Sequence, residues 1–333
     1  MKLVVFFLPA LLAMAQIWAP QTSGTTASLR GVSAVNDKVV WASGTGGTYL
    51  VTTDGGATWR AGKVPGAETL DFRAIRAFDA QTAIVLSIGD GEKSRVYKTM
   101  DSGATWKLLL TNPDPKGFFD GLAFWDARHG IIAGDPVDGQ IVIYTTDDAG
   151  EHWERQHMPP AMGSEGAFAA SNTSLAVQGS NQAWLGTSSA ARVFHSADGG
   201  RTWTVAATPI RNDGPAAGIF SVAFPDSKHG MAVGGDYSKD KEDTRNIAVT
   251  SDGGQSWTAP AGHPAGFRSA VAWVADRKIW VATGTSGSDL SFDGGATWKN
   301  FDTGSYNALA FLSSTAGWAV GGRGRIAAFK LEP

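Results

Sequence analysis

The chain has 333 residues, with 31 Asp and Glu against 28 Lys and Arg, 42 Gly, 13 Trp and no Cys. That length suits one large all-β domain, and the charge balance lacks the basic stripe of a nucleic-acid binder. The absence of Cys excludes a disulfide framework, a thiolate metal site and a lipoprotein anchor.

Met1 and Lys2 open a short positive segment, Leu3 to Leu12 is almost wholly apolar, and Ala13-Met14-Ala15 has the form of a cleavage site. This predicts a signal peptide over 1–15 and an exported chain, 16–333, that resides in the periplasm or outside the cell. The apolar run is short for a membrane span, and no later segment is apolar enough, so no transmembrane segment is expected after cleavage.

Four short strands separated by turn residues follow: Leu29 to Val32, Val39 to Gly44, Thr48 to Thr52, and one beginning at Trp59. The unit then recurs. Its second copy opens at Phe72-Arg73-Ala74-Ile75, the third at Phe119-Asp120-Gly121-Leu122, and the fourth at Ala167-Phe168-Ala169-Ala170. The fifth opens at Ile219-Phe220-Ser221-Val222, the sixth at Phe267-Arg268-Ser269-Ala270 and the seventh at Tyr306-Asn307-Ala308-Leu309. Six units carry Ser/Thr-x-Asp-x-Gly-x-Thr-Trp, with His or Ser once each at the second hydroxyl position. The pairs are Asp54 and Trp59, Asp101 and Trp106, Asp148 and Trp153, Asp198 and Trp203, Asp252 and Trp257, and Asp293 and Trp298. The Asp positions are 47, 47, 50, 54 and 41 residues apart. A period of this size predicts a propeller of four-stranded blades. Chemically the motif is a turn: Asp accepts from backbone N–H groups beyond it, Gly takes positive φ, and Trp covers the reversal. The seventh unit lacks the motif. Gln16-Ile17-Trp18-Ala19 supplies a Trp where one is missing, so the segment after the signal is expected to be the outer strand of the last blade, closing the ring and protecting its sheet edge.

The motif resembles the Asp-box, or BNR repeat, of sialidases, xyloglucanases, sortilin-type receptors and photosystem II assembly and stability factors. In those families the boxes lie at the blade periphery, away from the functional face. The whole arrangement, with Trp18, Leu29-Arg30-Gly31-Val32 and Trp41 to Thr48 before the first box, is most similar to the photosystem II assembly and stability factor-like proteins. That resemblance implies a non-catalytic scaffold that docks a protein.

The loops after the second strands and between blades share one face, and three of them are elaborated: Gly134 to Gly139, Ser164 to Asn172 and Gly234 to Asp243. Inequality among repeats marks a binding face. The candidate binding residues are Arg30, Arg73, Asp120, Asp135, Asp138, Glu165, Asp236, Tyr237, Arg268 and Asn307. Arg30, Arg73 and Arg268 in register suit a bidentate clamp on a carboxylate or phosphate, or a structural network with Asp120, Asp135 and Glu165. The competing reading is a glycoside hydrolase, sialidase-like or related, using two of Asp120, Asp135, Glu165 and Asp236. Its carboxyls would face one another at about 5–5.5 Å or about 6.5–9.5 Å. His129 and His229 occupy equivalent turns on the opposite face and read as turn residues, so no metal is expected. Asn172-Thr173-Ser174 matches a glycosylation sequon. No dinucleotide or phosphate-loop fingerprint occurs, and no cofactor is expected. The expected partner of this monomer is a cell-envelope protein or a glycan.

Overall fold

The computed structural model describes residues 16–331; the signal peptide expected over 1–15 lies outside them. Seven antiparallel sheets surround a central channel. The blade-one strands show how burial sorts the sequence. The inner strand Leu29–Ala34 alternates buried and half-buried positions. The middle strands Val40–Gly44 and Thr48–Thr52 are buried throughout, because neighbouring blades cover both their faces, and they read as continuous apolar runs. The outer strand Arg60–Lys63 is mostly exposed and polar. Blade five is the exception. Its sheet has three strands, and the fourth shrinks to a bridge between Val249 and Thr258. Pro260 and Pro264 follow at once, and neither can donate to a ladder.

The last blade is closed as expected. Gln16–Gln21 pairs antiparallel with Ile326–Leu331, from Gln16 opposite Leu331 to Gln21 opposite Ile326. Apolar clusters fill the seams between blades, and each box Trp packs into the seam with the preceding blade, as Trp106 does against Trp41 and Tyr49. In the seam between blades six and seven Trp18 takes this place, among Tyr306, Phe311 and Phe329, and its Nε1 donates to Ser288 at 3.0 Å.

The six boxes share one geometry. The Asp carboxylate accepts from the backbone N–H four residues on, at 2.8–3.0 Å, and from that residue's hydroxyl at 2.5–2.6 Å. In the third box His152 Nδ1 replaces the hydroxyl, 2.6 Å from Asp148. The Ser or Thr two residues before the Asp donates to it and accepts from the box Gly N–H, as Thr52 does with Asp54 and Gly56. All six of these glycines have φ between 86° and 98°, which a side chain would strain.

One element departs from expectation. Ala167 to Ala170 is not the inner strand of blade four; that strand is Leu175–Gln178. The eight residues from Ala167 to Ser174 ahead of it lie outside the sheet.

Candidate functional site

The segment 165–173 crosses the loop face and touches four other blades. Ala167 N donates to Asp135 of blade three at 3.1 Å. The Ala169 carbonyl accepts from Arg73 of blade two at 3.0 Å. The Phe168 ring stacks on Phe220 of blade five, with centroids 3.8 Å apart and planes at 12°. Ser171 Oγ donates to the Ser269 carbonyl of blade six at 2.7 Å. Asn172 then behaves like a strand partner, accepting from Leu122 N at 2.8 Å and donating to Leu122 O at 2.9 Å. Its φ of 66° turns the chain down into the ring. The channel is therefore stoppered from this face, and the sequon amide of Asn172 is already engaged.

The anchor of this stopper is Glu165, expected on the binding face. It is buried and held by Arg192 Nε at 2.9 Å, by a second contact from Arg192 Nη2, and by Thr187 Oγ1 at 2.6 Å. Removing either partner would strand a buried charge. Asp236 is likewise turned inward. It caps the short helix Tyr237–Lys239, accepting from Ser238 Oγ at 2.6 Å and Ser238 N at 2.9 Å. These contacts hold its carboxyl below the usual range.

Arg268 is the clearest correction. It is fully buried, and Asp289 and the carbonyls of Phe267 and Ala265, with Ser286 Oγ, engage every guanidinium nitrogen. The cause is register. In blades one, two, three and five one residue is extra on the inner strand, at Arg30, Arg73, Asp120 and Phe220. In blade six the corresponding residue is Ser269, because Ala270 pairs with Thr283. Arg268 falls one place earlier, where the others have Leu29, Phe72, Phe119 and Ile219, and a one-residue offset sends a side chain to the opposite face. Asn307 does occupy the bulge position of blade seven, but its amide donates to the Leu29 carbonyl at 2.9 Å and so ties blade seven to blade one.

Arg30 and Arg73 remain at the mouth. Arg73 Nε pairs with Asp71 at 2.9 Å. Arg30 has no carboxylate partner among the described residues, and its Nε has no hydrogen-bond partner. Burial, then the like charge of Arg73, pulls the Arg30 pKa down, while Asp71 opposes this. Beside them lies a carboxyl pair. Asp120 is 1% exposed, and neither of its oxygens has a hydrogen-bond partner. The carboxyl of Asp135 lies close by. Burial first, and the nearby Asp135 charge second, push the Asp120 carboxyl well above the usual range. Burial also raises Asp135, against the N–H of Ala167. Asp138 stands apart, exposed at a hairpin tip with φ of 52°.

Across the stopper, Tyr237 is 54% exposed and meets Phe168 and Phe220 edge-on, with centroids 6.2 and 6.1 Å away. Arg211 lies behind this aromatic shelf. It pairs bidentately with Asp213 at 3.0 Å and also with Glu242, binding two loops together. Phe168, Phe220, Arg192 and Arg211 were not singled out from sequence. Only Phe220 had a signal, since it shares the bulge position with Arg30 and Arg73.

No family model matches the sequence. A xyloglucanase from Paenibacillus sp is 24% identical over 283 residues, 73% of this chain; the chain spans 27% of the length of that relative. Solved structures of similar shape include YCF48 bound to D1 peptide and YCF48 from Cyanidioschyzon merolae. Each has a TM-score of 0.67 and 18% identity over 95% of this chain, with 97% and 99% of theirs covered. U3-55K is similar at a TM-score of 0.64 and 12% identity, over 94% of this chain and all of its own. At these identities the likeness is one of fold.

Proposed function

We propose that the protein is an exported, non-catalytic scaffold that docks a segment of a partner protein on the loop face, in the manner of a photosystem II assembly and stability factor-like protein. The observation that carries this is the disposition of charge. The candidate catalytic carboxylates are turned inward: Glu165 is held by Arg192, Asp236 by Ser238 and Asp135 by the Ala167 N–H, while Asp120 is buried. Asp120, 1% exposed, is too deeply buried to reach a sugar. What the face offers outward is Arg30 and Arg73 on one side and Tyr237 on the other, a cationic spot beside an aromatic shelf. Such a surface suits an extended acidic segment: carboxylates on the guanidinium groups and an apolar side chain against the ring. A similarly folded chain, YCF48, has been solved with D1 peptide, which supports a protein ligand for this architecture.

The test is affinity capture from an envelope extract of the source organism, with the full chain and an Arg30→Ala, Arg73→Ala, Tyr237→Ala variant of unchanged melting temperature. One protein retained by the parent and lost by the variant is expected. If none depends on these side chains, and the chain releases reducing sugar from xyloglucan, the hydrolase reading replaces this one.

A further inference from the structure

The stopper makes the channel a blind funnel, open on the face that carries the boxes. Its volume is about 440 Å³, within the size range of small-molecule sites. Its wall comes from the lower halves of all seven inner strands and exposes polar and apolar surface in nearly equal measure, with Ile75, Leu122, Val222 and Leu309 among its apolar side chains. Its polar floor is already satisfied, Asn172 by Leu122 and Thr173 by Ser171. Ser33 likewise accepts from Ala77 N at 3.0 Å.

Arg76 is the exception. Strand register aligns it with Ser33, Ala123, Ala176, Ala223, Ala272 and Ala310, so the other six blades place a small uncharged residue where this one places a guanidinium. Arg76 Nε is buried without a hydrogen-bond partner, and among the described residues no carboxylate pairs with the group. The Phe78 ring lies beside it, with its centroid 5.8 Å from Cζ. Phe311, Trp273 and the 44% exposed Leu312 carry apolar surface to the opening. An uncompensated cation in such a cavity is unfavourable until an anion meets it.

We infer that this funnel binds a single-chain anionic amphiphile, with its carboxylate on Arg76 and its alkyl chain along the inner strands. The site lies on the opposite face from the proposed docking surface and does not depend on it. Calorimetric titration of the full chain with decanoate, below its micelle concentration, tests the assignment, with 1-decanol and decyltrimethylammonium as probes of the same chain length. Saturable binding of decanoate is expected, with decanol weaker by roughly 10- to 100-fold, as for loss of a charge-assisted hydrogen bond. Decyltrimethylammonium should bind more weakly still. Arg76→Gln should bring decanoate down to the level of decanol, and Arg76→Lys should retain the preference. No saturable decanoate binding, or equal binding of acid and alcohol by the parent chain, overturns the inference. The parent-chain comparison decides even where Arg76→Gln fails to fold.

Discussion

The Asp120–Asp135 pair places a stability cost on one proton. A carboxyl whose folded pKa is raised keeps its proton where the unfolded chain has lost it, so stability falls as pH rises from about 3.9 toward the folded value. Asp120→Asn removes that dependence. The variant is expected to melt higher than the parent at pH 7 and to match it near pH 4, as read by thermal unfolding at both values. A lower melting temperature at pH 7 would mean that Asp120 is ionised against Arg73. This pairing was only half legible. Asp120 and Asp135 could be placed on one face from the repeat, but their separation depends on how far the second strand of blade three, Gly130–Val137, runs past the bulge. Arg268 was misplaced for a related reason. Phe267-Arg268-Ser269-Ala270 looks like Leu29-Arg30-Gly31-Val32, and nothing in four letters says which residue is the extra one.

At the scale of the strand and the loop, the repeat was the more readable part. Boxes, turn residues and apolar runs recur, so each strand is announced several times over. The stopper occurs once, and no periodicity could reveal it. Its residues Ala167 to Ala170 even imitate an inner strand, being small and apolar around one aromatic ring. The terminal strand Gln16–Gln21, by contrast, was betrayed by Trp18, which stands where the absent box would have put its own Trp. Trp18→Ala deletes a buried ring that touches Phe301, Tyr306, Phe311 and Phe329. It should destabilise the fold by about 3–5 kcal/mol in urea unfolding. A loss below about 1 kcal/mol would show that the other aromatics close this seam without it.

Across the whole molecule the boxes act together on acid stability. The hydroxyl and then the N–H four residues on hold Asp54 and Asp252 at about 2, and the same pair of contacts lowers Asp101 and Asp293. A carboxyl with a depressed folded pKa contributes stability above the unfolded value, about 3.9, and loses it as pH falls through the folded one. Urea midpoints should therefore drop steeply between pH 4 and pH 2. Removing two box hydroxyls, by Ser256→Ala and Thr297→Ala, should flatten that drop. An unchanged slope would assign the acid sensitivity to other carboxylates.

The pairing of Gln16 with Leu331 also has a consequence in time. Each inner hairpin forms from neighbours in the chain, but Gln16–Gln21 must wait for residues about three hundred positions later in the sequence. Until they arrive it is an open edge carrying a bare Trp, and any other edge within reach competes for it. The step with the greatest loop-closure entropy is thus also the one that completes the ring.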